Sequence, residues 1–247
     1  NDAYHRLLLG EIEEAKRALA EGRRIAETYE LLGALLHLSS TQGELHLYLG
    51  EWRAAKEIFS QGLDLAEELG NLERQAGYRA GLALCARSEG RLEEATALLE
   101  EALALIDEHG YHHLRTRLQL WLAEIWLLRA QPSAAAPYLE SALGTAQRQH
   151  RRLLAMRAAA LWAWYLAESG AWEEAERRFS EVEKQAEALG LPLERARVQL
   201  LRSQAAWRAG AAALREQAVT LLQEAQRVLE QYQAHGELAQ LSPAATF

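Results

Sequence analysis

The chain has 247 residues, of which 49% are hydrophobic, 25% charged and 7% aromatic, and it carries a formal net charge of −8. This is the composition of a folded, soluble polypeptide, and an alphabet dominated by Ala, Leu, Glu and Arg, with 4 Pro, excludes β-rich architectures. A single cysteine, Cys85, excludes an internal disulfide and a cysteine-based zinc fold, and no apolar run approaches the roughly 18 residues of a membrane span.

The chain opens Asn1-Asp2-Ala3-Tyr4, with neither an initiator Met nor a basic-then-apolar leader, and reads as a piece of a longer cytoplasmic protein. A short helix is predicted from Tyr4 to Leu9. It stops at Gly10, and Ile12-Glu13-Glu14-Ala15 starts a second helix. The same turn and helix start return at Gly50-Glu51-Trp52-Arg53-Ala54-Ala55 and Gly90-Arg91-Leu92-Glu93-Glu94-Ala95. They return again at Ala130-Gln131-Pro132-Ser133-Ala134-Ala135 and Gly170-Ala171-Trp172-Glu173-Glu174-Ala175, and Gly210 keeps the step. Anchors at 10, 50, 90, 130, 170 and 210 define a period of 40 residues, the mark of a solenoid.

Each period reads as two helices. One precedes the anchor, as in Leu118, Leu120, Trp121, Leu122, Ile125 and Trp126; the other follows it, as in Leu92, Ala95, Leu99, Ala102 and Ile106. Second stops fall at Gly70, Gly110 and Gly190. In the last period Gly210-Ala211-Ala212-Ala213 reads as a three-residue insertion, after which Ala218, Leu222 and Ala225 resume the pattern. A repeat domain is expected over residues 1–235, with 236–247 a tail or the start of a further helix.

The second helices carry Ala-x3-Phe followed by a small residue three positions on: Ala55/Phe59/Gly62 and Ala175/Phe179/Val182. Leu replaces the Phe in Ala15/Leu19/Gly22, Ala95/Leu99/Ala102, Ala135/Leu139/Ala142 and Ala218/Leu222/Ala225. A Gly-x-aromatic turn appears as Gly50/Trp52 and Gly170/Trp172, while the first helices keep a small residue in Leu82-Ala83, Leu122-Ala123 and Trp162-Ala163. On these residues the chain resembles the tetratricopeptide repeat family over about residues 1–230. Its period is longer than the usual ~34 and is similar to that of the arrays of bacterial maltose-activator-type signal-transduction regulators. The resemblance implies an all-α, right-handed α-solenoid of about six antiparallel helix pairs, with first helices lining a concave face. The expected packing residues are Gly50, Ala55, Phe59, Gly90, Ala95, Leu99, Ala135, Leu139, Gly170, Ala175 and Phe179. The Ala lets helices approach and the Phe or Leu one turn on fills the gap.

The resemblance also places groove residues on the first helices. Thirteen positions before successive anchors stand Arg117, Arg157 and Arg197, expected to form an arginine ladder suited to carboxylate or phosphate. Trp121, Trp164 and Trp207 occupy groove positions 43 residues apart, an expected diagonal row of aromatic platforms, whereas Trp52, Trp126, Trp162 and Trp172 fall at packing positions. Residues 1–110 carry net −10 and residues 111–215 net +5. With Glu173, Glu174, Glu176, Glu181, Glu183 and Glu187 on one second helix, the expected pattern is basic inside and acidic outside, attractive to an acidic ligand.

No phosphate loop, nucleophile elbow or His-Glu-x-x-His occurs. His109, His112 and His113 straddle the Gly110 break, with His150 one repeat on, so no metal site and no cofactor is expected. Cys85 reads as a buried small hydrophobe. The recurrent pairs Glu13-Glu14, Glu93-Glu94 and Glu173-Glu174 favour a helix dipole and need no acid–base role. The expected function is non-enzymatic: a protein-interaction scaffold binding an acidic peptide or partner segment in the groove. The second reading is an effector-sensing domain of a bacterial transcription or signalling regulator. A net charge of −8 with 3 lysines disfavours nucleic acid. The sequence after Tyr232 is too short for a full further pair, which offers a route to a homodimer through an uncapped terminal repeat.

Overall fold

The computed structural model describes residues 2–210 and 212–241. Among them the order is α1 (Asp2–Leu9), α2 (Ile12–Thr28), α3 (Leu32–Leu49), α4 (Trp52–Glu68), α5 (Leu72–Ser88), α6 (Leu92–His109) and α7 (His112–Leu128). Then come α8 (Pro132–Arg148), α9 (Arg152–Glu168), α10 (Trp172–Ala188), α11 (Pro192–Ala209), α12 (Ala212–Gln231) and α13 (His235–Leu241). No strand occurs among the described residues. The all-α solenoid expected from the repeat is the fold observed.

One turn sets the rhythm, built alike at most stops though not at Gly110, where its own N–H and that of the next residue both donate to Ile106 O. Gly50 closes α3 with φ of 81°; its N–H donates to Leu47 O (3.1 Å), and the N–H of Glu51 donates to His46 O (2.8 Å). These bonds satisfy carbonyls that the helix end leaves unpaired. A positive φ falls at residue 10 and at every twentieth residue as far as 210, then at Gln233, so the last step is longer by the three residues of the insertion after Gly210. At Glu30, Ala130 and His150 that conformation (φ 53°, 56° and 54°) is held by residues whose Cβ opposes it. Replacing Ala130 or His150 by Gly should therefore raise the unfolding free energy by about 0.5–1 kcal/mol each in urea titrations; a decrease would show that the side chain supplies a contact outweighing the strain.

The chain forms two compact units: the described residues of Asn1–Tyr111 with Tyr232–Gly236, and those of His112–Gln231 with Glu237–Phe247. In the first, Ala15, Ala55, Ala95 and Leu99 are fully buried, and Phe59 meets Tyr78 edge-on with ring centroids 6.4 Å apart. A Cβ added at Gly43 or Gly81 would enter the Phe59 ring, and one at Gly62 the Tyr78 ring. The glycines are thus the space into which the rings fit. Tyr78 Oη donates to Leu36 O (2.5 Å), giving the buried hydroxyl its partner. Tyr232–Gly236 lies against this unit: Tyr48 Oη donates to Tyr232 O (2.7 Å), the Tyr232 ring covers Gly10, and Gly236 packs on the Leu47 carbonyl and the Trp52 ring.

In the second unit Ala135, Leu139, Ala175 and Phe179 are fully buried, and Pro132 and Pro192 sit in first turns, where their missing N–H costs no helical bond. Helices α7, α9 and α11 pack side by side as first helices of successive pairs, each backed by a second helix.

Candidate binding surface

The six groove residues expected from sequence all lie on α7, α9 and α11 of the second unit. The arginines do not stand as three separate rungs. Arg157 grips Glu194 at two points, Nε to Oε2 at 3.0 Å and Nη2 to Oε1 at 2.6 Å, while Arg197 bonds to both Glu194 and Glu237. Glu194 is only 5% exposed. Burial pushes its carboxyl upward, but the guanidinium groups of Arg157 and Arg197 outweigh this and bring it down to about 2. Burial likewise opposes the charge of Arg197, and Glu237 with Glu194 overcomes it, leaving that group raised. The expectation of open rungs at Arg157 and Arg197 is therefore corrected. Glu194 lies one helical turn before Arg197 and reaches across to α9, so Arg157 and Arg197 both meet carboxylates of their own chain.

The tryptophan row is corrected too. Trp164 is fully buried, and its Nε1–H donates to Glu168 Oε1 (2.9 Å). Glu168 also pairs with Arg208 Nε (2.5 Å), whose Nη1 donates to Leu128 O (3.2 Å). Arg208 thus ties together the C-terminal ends of α7, α9 and α11, where a cation also favours the helix dipole. A 43-residue spacing advances each Trp by one turn, so the three rings do not share an environment. Trp121 is half-buried with the Arg117 guanidinium 4.6 Å from its centroid, and Trp207 is half-buried with that of Arg215 at 5.7 Å.

Arg202 on α11 donates to Glu176 (Nε, 3.0 Å) and Glu183 (Nη1, 2.7 Å) of α10, so this first-helix cation is paired with second-helix acids. Glu194, Glu168 and Glu237 are the residues that sequence reasoning missed. Signals pointed to two of them: the i, i+3 spacing of Glu194 and Arg197, and the equal register of Glu168 and Arg208, each two residues before an anchor.

Cys85 is buried, and burial pushes its thiol up to about 12, so it stays protonated and unreactive. The His109 ring stacks on Tyr111 at 6.5 Å. Among the described residues no group of three or more His, Cys, Asp or Glu is arranged to hold a metal ion, and no helix is long and apolar enough to cross a membrane.

Residues 80–236 match the family model described as the Suppressor of spindle checkpoint defect 1 C-terminal domain. No curated protein matches the chain in sequence. Among solved structures, aspartyl phosphate phosphatase F from Bacillus subtilis is similar at 14% identity and a TM-score of 0.71, over 92% of this chain. This chain spans 61% of that protein's length. BtubC (BKLC) from P. vanneervenii is similar at 22% identity and a TM-score of 0.59, over 90% of each chain. A Podosopora anserina kinesin-light-chain protein of nearly identical TPR-like repeats is similar at 19% identity and a TM-score of 0.51, over 75% of this chain and 92% of that one. These likenesses show a fold of the tetratricopeptide type.

Proposed function

Because the chain belongs to the Suppressor of spindle checkpoint defect 1 C-terminal domain family, and its helix pairs stack in the tetratricopeptide manner, we propose that it is a non-enzymatic protein-interaction scaffold over residues 1–235. Its surface on α7 receives an acidic segment of a partner protein in the cytoplasm. The supporting observation is the stacked pair of Arg117 and Trp121, both half-buried, which brings a guanidinium and an aromatic ring together on α7. These two side-chain types dominate interface energetics. Arg157 and Arg197 contribute by holding α9 and α11 in register beside α7 rather than by touching the partner.

The test is fluorescence anisotropy with an array of labelled acidic peptides and their amide counterparts. Acidic members should bind better, and Arg117→Glu with Trp121→Ala should weaken them at least about tenfold. Equal affinity of that double variant would overturn the reading.

A second reading is favoured by the 40-residue repeat, assembled from 20-residue steps. This is the variant resembling maltose-activator-type regulators of bacteria, in which an effector would occupy the same helices. Under that reading, titration with metabolites should shift emission from Trp121 and Trp207, while fully buried Trp164 stays silent. A titration that shifts neither would count against it.

A further inference from the structure

Within the first unit, α2 and α3 leave a groove of about 420 Å³ between them. Its floor is apolar, formed by Leu19, Leu35, Leu38, Leu45 and Leu49, and Lys16 and Arg23 stand on its α2 edge. The adjoining seam, between α4 and α5, is filled. Counting 40 residues on, Leu19 corresponds to Phe59 and Leu38 to Tyr78, the ring pair buried there at 1% exposure each. Gly62, which makes room for the Tyr78 ring, corresponds to Gly22, where a Cβ would meet Leu38 Cδ2 at 3.0 Å. The α2–α3 seam thus carries the glycine that receives a ring in the next repeat, but has Leu in place of the ring. What is missing from it is aromatic volume.

The groove is also long. From Leu35 to Leu49 it follows α3 for about 21 Å, four helical turns, which suits a peptide segment better than a compact small molecule. Next to it, at the corner joining the two helices, Tyr29, Leu31 and Leu32 are exposed at 69%, 47% and 47%. Residues 1–110 carry net −10, yet the α2 edge of the groove offers two cations. Lys16 and Arg23 pair with Glu13 (2.9 Å) and Glu27 (2.8 Å) on exposed surface, where such pairs are worth little and exchange readily. Just past the end of α3, the Glu51 carboxylate is hydrogen-bonded to His46 Nδ1 (2.5 Å).

We infer that this groove is a second binding site, independent of the α7 surface, for an amphipathic helix of a partner protein. That helix inserts aromatic side chains where Leu19 and Leu38 leave space and sets carboxylates against Lys16 and Arg23.

The probe is a fluorescein-labelled 16-residue amphipathic helical peptide with Phe at two positions one turn apart and Glu flanking them, measured against the full chain by anisotropy. Leu38→Tyr restores the ring that Gly22 can accept. It should weaken binding at least about tenfold while leaving the circular dichroism and melting temperature equal to or above wild type. Arg23→Glu, a surface change that leaves the floor intact, should weaken binding severalfold. Arg117→Glu with Trp121→Ala should leave this peptide bound, separating the site from the α7 surface. The inference is overturned if the Phe→Ala peptide binds as well as the parent. It is equally overturned if folded Leu38→Tyr and Arg23→Glu variants bind as tightly as wild type. A wild-type dimer that Leu38→Tyr abolishes would overturn it too, by assigning the groove to a second copy of this chain.

Discussion

Replacing Glu194 by Ala is expected to lower the unfolding free energy by about 3 kcal/mol in denaturant titrations. Removing one member of a buried ionic cluster leaves its partners desolvated and uncompensated. The value falls at the lower end of the range for such losses because the Arg157 side chain remains 31% exposed and Arg197 keeps Glu237. The same residue shapes the response to acid. The Glu194 carboxyl is held at about 2 in the folded protein, against ~4.3 in an unfolded chain. A depressed folded value means that the stabilisation is fully present above the unfolded value and disappears as the pH falls from about 4.5 towards 2. Glu194→Gln should flatten that part of the acid limb. An acid limb identical to wild type would show that the two arginines do not depend on this carboxylate.

Phe59→Ala is the second large effect, at about 3–5 kcal/mol of unfolding free energy. The ring is 1% exposed, is enclosed by Gly43 and Gly81 and leans on Tyr78. Glycines offer no side chain that moves in to fill the space a removed ring leaves. Leu19→Ala, one repeat earlier beside an open groove, should cost less. Equal losses at the two positions would indicate that the α2–α3 seam is as tightly filled as the α4–α5 seam.

The fold was legible because it repeats. Gly10, Gly50, Gly90 and Gly170 announce turns by themselves, and Ala55/Phe59 and Ala175/Phe179 mark second helices through a contact that only a small and then a large residue can make. The half-period was less visible. Glu30 and His150 adopt the left-handed turn without the glycine that signals it, because the flanking helices fix the backbone there. The surface was read less completely than the fold. A register rule places Arg117, Arg157 and Arg197 along neighbouring helices, but it does not say which carboxylate reaches them. That depends on how far Glu194 extends from α11 to α9 and where Glu237 falls, which are distances between helices rather than along them. Trp164 went astray for a related reason: a groove position is open only where neighbouring first helices leave it so, and Arg208 bonded to Glu168 and to the Leu128 carbonyl closes that end.

The most direct measurement is backbone NMR of the full chain, with carbon shifts and HN–Hα couplings read at residues 30, 130, 150 and 233. Helix pairs stacked on a 20-residue step require a left-handed backbone at Glu30, Ala130 and His150, and the final step, longer by three residues, puts the fourth at Gln233. Right-handed helical or extended values at Glu30, Ala130 and His150 would break the step and contradict the account.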